Sequence, residues 1–364
     1  MIPATSAHRL LERAGRYRVW QVETDGRPHI EAPVDQVNLV CDGRTRTKLD
    51  RHGHTVFHQR LDKWTPFQPA ALPDGGFVHA AGGKGLQFFD PAGRQIANWG
   101  EEQQMLSIRP AVDSLGQVYV GVDGPQGSRL VVLSQSGEEL RSHALPHRSV
   151  GVPVLGPGGE VAMRTVFDEV VRVDGDNSWT RKLPERLNSP LAVGPDGNIW
   201  AGNSEGRLFR LDPKGESTEV FRAKGEIRGR PLAGANGRIY VTSFDHHLYA
   251  LEPDGQVAFS ADCGDFVEGG AHQLPDGTLV VGAGKQLLAF DEQGKNLWSE
   301  AFPYRLEQPI EGPEGLVLVP GADGLAAVDP RGLAALLDPE PAKPGVEDHP
   351  DWLLVGDIAL DKEY

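Results

Sequence analysis

The chain reads as an all-β repeat protein, and three observations predict this. Gly and Pro are abundant, 45 and 28 of 364 residues, and they fall at regular turn positions rather than in low-complexity runs. Short apolar runs of strand length separate those turns, and no unit carries a helix-period pattern. A similar segment returns about every forty residues, the signature of a stacked or circular repeat.

The clearest copy is Arg230–Ser260, RPLAGANGRIYVTSFDHHLYALEPDGQVAFS. Four strands are predicted, over Pro231–Gly234, Arg238–Ser243, Leu248–Leu251 and Gln256–Ser260. In the second, Ile239 and Val241 alternate with Arg238, Tyr240 and Thr242, the mark of a strand with one buried face. Ala235-Asn236-Gly237, Asp245-His246 and Glu252-Pro253-Asp254-Gly255 supply the turns, with Pro fitting the first bend and Gly a positive φ. So short a meander cannot bury its own faces and needs neighbours like itself.

Taken in order, residues 1–16 could form a short helix over Ala7–Ala14 or stay loose, and Tyr17–Glu23 has strand character around Trp20. Residues 1–27 are thus a leading segment whose strand could close a ring. Eight units fill 28–335, the first being the most degenerate. The others are anchored at Pro69, Pro110, Pro153, Pro190, Pro231, Ala271 and Pro309, at intervals of 41, 43, 37, 41, 40 and 38 residues. Four strands per interval is the period of a β-propeller blade. The expected fold is one β-propeller of eight four-stranded antiparallel blades, or seven where the first unit only completes the last blade. Pro suits the first residue of an inner strand, where no ladder donor is needed. Residues 336–364 open with the Pro-rich linker Asp338–Pro344 and end in apolar segments at Trp352–Val355 and Ile358–Leu360, expected to pack on the propeller.

Two units end in an aromatic after an Asp-x-x-Gly turn: Asp90-Pro91-Ala92-Gly93 before Trp99, and Asp291-Glu292-Gln293-Gly294 before Trp298, with Phe259 following the same turn in unit six. This resembles the PQQ-type propeller repeat, whose superfamily includes quinoprotein alcohol dehydrogenases and the propeller lipoprotein of bacterial outer-membrane assembly. The resemblance implies that the aromatic packs between adjacent blades. Pro195–Trp200, PDGNIW, is also similar to NHL-type and streptogramin-lyase propellers. For the dehydrogenases the resemblance implies PQQ beneath a vicinal disulfide with Ca²⁺ beside it. Cys41 and Cys263 are far apart in sequence and no Trp-rich floor is evident, so no cofactor is expected.

The formal charge of −15 argues against a general nucleic-acid surface and against an anionic membrane. No stretch is long enough to span a bilayer. Two cysteines make no disulfide framework; two free buried thiols are expected, with one Cys41–Cys263 bridge as the alternative. The first residues lack the apolar segment of a signal peptide, which favours a cytoplasmic protein, or a periplasmic one whose leader has been removed.

Catalytic motifs are weak. Gly202-Asn203-Ser204-Glu205-Gly206 matches G-x-S-x-G, but a strand rather than a helix follows, so Ser204 reads as a turn residue. His52, His54 and His58 cluster and His246-His247 form a pair. His54 and His58 lie about 13 Å apart on a strand, too far to share one metal. Asp174–Asn177 is a calcium-loop fragment without its closing glutamate.

One pattern stands out. Lys63, Arg148, Arg186, Arg228 and Arg305 each precede a first-strand anchor, and Arg109 and Arg230 sit one residue before theirs. Blade geometry would gather such links at one mouth of the channel, offering a site for an anion or an acidic segment. The competing expectation is pairing with Glu185, Glu226, Glu268 and Glu307 in the same links. Loops between second and third strands vary most, which points to Asp168, Glu169, Asn203, Glu205, Asp245, His246 and His247 as partner contacts. The function expected is a non-catalytic scaffold for a protein partner. A metal-dependent lactonase or lyase and a small-molecule sensor are the alternatives.

Overall fold

The computed structural model describes residues 10–11, 18–23, 29–31, 36–41, 45–50, 52–60, 69–81, 85–100, 105–106, 109–332, 346–348, 352–355 and 358–361. Eight antiparallel sheets of the blade type follow one another along the chain. The first runs through His29–Glu31, Gln36–Cys41, Thr45–Asp50 and Thr55–Arg60. The second runs through Ala70–Ala71, Phe77–Ala81, Gly85–Phe89 and Gln95–Trp99. Blades three to seven repeat this order, ending at outer strands Glu139–Ala144, Asn177–Lys182, Ser217–Arg222, Val257–Asp262 and Asn296–Ala301. The protein is an eight-bladed β-propeller.

Blade eight is assembled from both ends of the ring. Ile310–Glu311, Val317–Gly321 and Gly324–Val328 supply three strands, and Arg18–Glu23 supplies the outer one, with Arg18 opposite Val328 and Glu23 opposite Gly324. Leu10–Leu11 adds a further strand against Gln21 and Val22. The helix expected over Ala7–Ala14 is therefore absent at these two residues: an isolated helix that short is marginal, whereas an open strand edge offers ready partners. Val346–Asp348, Trp352–Val355 and Ile358–Asp361 form a separate sheet, the last two strands of which lie beside Thr55–Arg60. The linker 338–344 lies outside the described residues. No described helix is long and apolar enough to cross a membrane.

Burial departs from the one-sided alternation expected of unit six. Ile239, Tyr240, Val241 and Thr242 are all buried. Ile239 and Val241 join Trp200 and Leu208 of blade five, while Tyr240 joins Leu279 and Val281 of blade seven. Each sheet is sandwiched between two others, so polar side chains have no solvent face except on outer strands. Val257–Asp262, for example, is mostly exposed. The apolar cluster of Trp20, Leu49, Leu316, Leu318 and Leu325 lies between blades eight and one and shuts the circle.

One contact recurs at the junctions. The turn between third and outer strands is held by an Asp: Asp212 Oδ1 accepts from the amides of Lys214 and Glu216 at 2.9 and 2.8 Å. This fixes Gly215 at φ +85°, a conformation that glycine adopts without penalty. On Gly215 lies the Trp179 ring of the preceding outer strand, with its Nε1 donating to Pro213 O at 2.9 Å. Gly294 sits in the same way under Phe259. At the ring closure, Trp20 covers Gly53 of blade one. Arg18 secures the other side, donating to the Ala301 carbonyl, pairing with Glu300 at 3.3 Å and stacking on Phe302.

Two outcomes follow from this packing. Gly215→Ala places a methyl 3.0 Å from the Trp179 ring at positive φ, and should lower stability by about 2 kcal/mol in a denaturant titration. Trp20→Ala should cost about 3–5 kcal/mol. It should also loosen the strand covering the edge of blade eight, giving concentration-dependent association by light scattering. Unchanged midpoints would contradict both.

Candidate functional site

In blades four to eight, the link from the preceding outer strand to the inner strand is hydrogen-bonded to the second-to-third-strand turn of the blade it enters. Val166 N donates to Arg148 O at 2.9 Å, Ser204 N to Arg186 O at 3.2 Å, and Phe244 N to Glu226 O at 2.9 Å. Gly284 N donates to Phe266 O and Ala322 N to Arg305 O, both at 3.0 Å. Links and turns therefore share one face of the propeller, and Arg148, Arg186, Arg228 and Arg305 are all exposed there. Lys63 lies outside the described residues. Arg228 pairs with Glu226 at 3.2 Å and Arg305 approaches Asp265 at 3.9 Å, whereas Glu185 is taken by Arg207 at 2.9 Å. No ion pair joins Arg148 or Arg186 to another described residue. Pairing within the links thus accounts for only part of the basic set.

The turn residues divide into builders and exposed groups. Asn203 is fully buried, its Oδ1 accepting from the amides of Glu205 and Arg207 and its Nδ2 donating to Glu185. Asp245 accepts from Lys224 N and from the Tyr249 hydroxyl, and Asp168 accepts from Leu187 N. Asn203, Asp168 and Asp245 hold turns to links. Glu169 receives the Thr165 hydroxyl at 2.7 Å and contacts His147 Nδ1 at 2.8 Å. Burial alone would raise the Glu169 carboxyl, but those two partners outweigh it and hold it below its ordinary value. Glu205 is exposed, and His246 and His247 are half-buried.

Phe167 and Phe244 lie in the loops Phe167–Glu169 and Phe244–His247 that the sequence marks for partner choice, whereas Phe266, in a link, carries no such mark. Phe167 is 53% exposed and lies edge-on to His147. Phe266, 43% exposed, packs against Phe244 and His246, and the Arg228 guanidinium covers Phe244 at 4.7 Å. Val166 is exposed beside Phe167. A Phe in a turn between two strands was the available signal. The opposite face is built of Asp-capped turns, as at Asp74, Asp113, Asp196 and Asp276, whose carboxylates are committed to backbone amides.

The channel rim is closely packed. Thr242 Oγ1 donates to Gly269 O at 2.7 Å, and a Cβ at Gly229 would strike that same carbonyl at 2.5 Å. A Cβ at Gly269 would meet Gln308 N at 2.5 Å. Successive links thus lie backbone to backbone, and only small residues fit between them. Ser204 sits in a turn between two strands, as its sequence context implied. Among the described residues, no three His, Cys, Asp or Glu side chains group as metal ligands. Cys263 is free and buried, and burial pushes its thiol up to about 12, which makes it inert.

Asp168 and His246 hold φ at +60° and +72°, where blade five has Gly206 at +74°. His246→Gly should therefore leave the turn intact and change stability by less than about 1 kcal/mol, whereas Gly206→His should be strongly destabilising. Glu169, with its depressed carboxyl, contributes stability at neutral pH that is lost as pH falls below 4.5 toward its folded value. Glu169→Gln should thus cost about 1 kcal/mol at pH 7 and progressively less as the pH is lowered below 4.5, by denaturant titration across that range.

No family model and no curated protein matches the chain. Among solved structures, the computationally designed protein Ika8 fits with a TM-score of 0.68 at 13% identity, over 84% of this chain and 96% of its own. Virginiamycin B lyase from Staphylococcus aureus fits at 0.55 and 11% identity, over 88% and 98%. BamB from Moraxella catarrhalis fits at 0.49 and 15% identity, over 74% and 97%, too low a score to carry an argument. At these identities the likeness is one of fold: the chain shares the propeller architecture.

Proposed function

We propose that the protein is a non-catalytic scaffold whose arginine- and phenylalanine-bearing face captures an acidic, partly apolar segment of a protein partner. The observation that carries this reading is the sharing of one face by exposed Phe167 and Phe266 with Arg148, Arg186, Arg228 and Arg305. Exposed aromatics beside arginines are the residue types in which binding energy concentrates. A net charge of −15 elsewhere repels acidic segments from other surfaces, so local cations also direct the encounter. The turns are pre-built by Asn203, Asp168 and Asp245, which lowers the ordering cost of binding.

The test is fluorescence anisotropy with two sets of extended peptides, in which Leu and Phe alternate with Glu in one and with Lys in the other. The Glu set should bind and the Lys set should not. Arg186→Glu with Arg228→Glu should weaken the Glu set by about tenfold or more, while Lys214→Glu on the opposite face changes nothing. Equal binding of both sets, or equal loss in the Lys214→Glu protein, would overturn the reading.

A further inference from the structure

The outer strands share an irregularity that one of them lacks. In seven of the eight blades the ladder between third and outer strand slips by a residue, and no unbroken stretch exceeds four pairs. Such bulges twist an edge away from further pairing. Blade four has none: Asn177–Lys182 runs through six consecutive pairs, from Asp174 opposite Asn177 to Glu169 opposite Lys182. The turn explains the difference. In blade seven the four-residue turn Asp291-Glu292-Gln293-Gly294 leads straight into a bulge at Ala289/Phe290. In blade four Gly175 and Asp176 alone join the strands, with Gly175 at φ +58°, and a two-residue hairpin keeps both strands in register.

Bonded pairs alternate along an antiparallel ladder. Leu183 N donates to Asp168 O at 3.3 Å in this register, so Asn177, Trp179 and Arg181 bond inward. Ser178, Thr180 and Lys182 turn their amides and carbonyls to the open edge, and all three are exposed. The strand is held firmly, because Trp179 Nε1 donates to Pro213 O at 2.9 Å and Arg181 Nε to Gly215 O at 2.7 Å in blade five. An outer edge does take a fifth strand in this molecule: in blade eight Leu10–Leu11 pairs with Val22 and Gln21, for two residues beyond the bulge at Arg18/Trp20. In a chain of net −15, Asn177–Lys182 carries Arg181 and Lys182 and no acid, a combination found in no other outer strand. Glu169, opposite Lys182, spends its carboxylate on Thr165 and His147, and Glu216 stays 3.9 Å from Arg181.

We propose that the outer edge of blade four is a second binding site, which takes an extended acidic segment of a protein partner as a fifth strand. Main-chain bonds to Ser178, Thr180 and Lys182 supply the pairing, and acids beside Arg181 and Lys182 fix its position. Asp174 and Asp176 lie at the turn end and repel acids there, so the charge of the segment belongs at its other end. A second copy of this chain is the poorer occupant, because two chains of net −15 repel one another. The site stands without the arginine- and phenylalanine-bearing face.

The test is hydrogen exchange of the whole protein, read over residues 177–182 by mass spectrometry during titration with an extended peptide in which Val alternates with Glu. The peptide should slow exchange there, and its counterpart with Lys in place of Glu should not. Thr180→Pro removes only an outward N–H, so it should keep the thermal midpoint yet weaken the protection by about tenfold or more in peptide concentration. Thr180→Ala keeps that N–H and should respond as the wild type does. Lys182→Glu should also lose about tenfold. A peptide N-methylated along its backbone should fail on the wild type, which decides the matter even where Thr180→Pro does not fold. Arg186→Glu with Arg228→Glu should keep the protection, and Thr180→Pro should still bind the Leu/Phe–Glu peptides, so the two sites fail separately. The proposal is overturned if exchange over 177–182 is unchanged, if the Lys or the N-methylated peptide protects equally, or if a folded Thr180→Pro protein responds as the wild type does. A dimer of the free protein that Thr180→Pro dissociates would also overturn it, by assigning the edge to a second copy.

Discussion

Everything in this molecule depends on sheets that have no interior of their own. A four-stranded blade of about forty residues offers two apolar faces and nothing between them. The buried second strands, such as Ile199–Gly202 and Val317–Gly321, are satisfied only because a sheet lies against each side. The aromatic-on-glycine contact sets how closely those sheets approach. Trp179 on Gly215, Phe259 on Gly294 and Trp20 on Gly53 put a large ring where any side chain would collide. Glycine is required there twice over, for its φ and for its missing Cβ. The Asp that caps the turn makes that conformation the local default.

Much of this was legible in the sequence because the turn chemistry is local. Asp-x-x-Gly, the anchor prolines and the terminal aromatic each act within a few residues of themselves, so their forty-residue rhythm reports the blade directly. Two-sided burial was less legible. In Ile239–Thr242 the polar Thr242 and amphipathic Tyr240 imitate a solvent face, yet their polar ends find Gly269 O and the Asn236 side chain. Polar turn residues such as Asn203 and Asp245 look alike in sequence whether they face outward or cap their own backbone.

The two faces follow different rules. On one, side-chain oxygens of Asp and Asn are consumed by amides of their own turns, which leaves a uniform surface. On the other, links from one blade bond to turns of the next, and each junction has its own set: His147 with Phe167 and Glu169, Arg228 with Phe244 and Phe266, Arg305 with Asp265. Sequence variety is tolerated there because the backbone bonds, not the side chains, hold link to turn. That freedom is what recognition needs: a rigid frame with replaceable contacts.

The origin of the last strand has a consequence for synthesis. Arg18–Glu23 emerges from the ribosome early, but its partner Gly324–Val328 appears some three hundred residues later. During that interval the early segment lacks its blade-eight partner, and the growing arc exposes one naked sheet at its leading end. Closure is thus the slowest, most non-local event available to this chain. Chaperone dependence and proteolytic vulnerability should concentrate in the nascent polypeptide rather than in the finished disc.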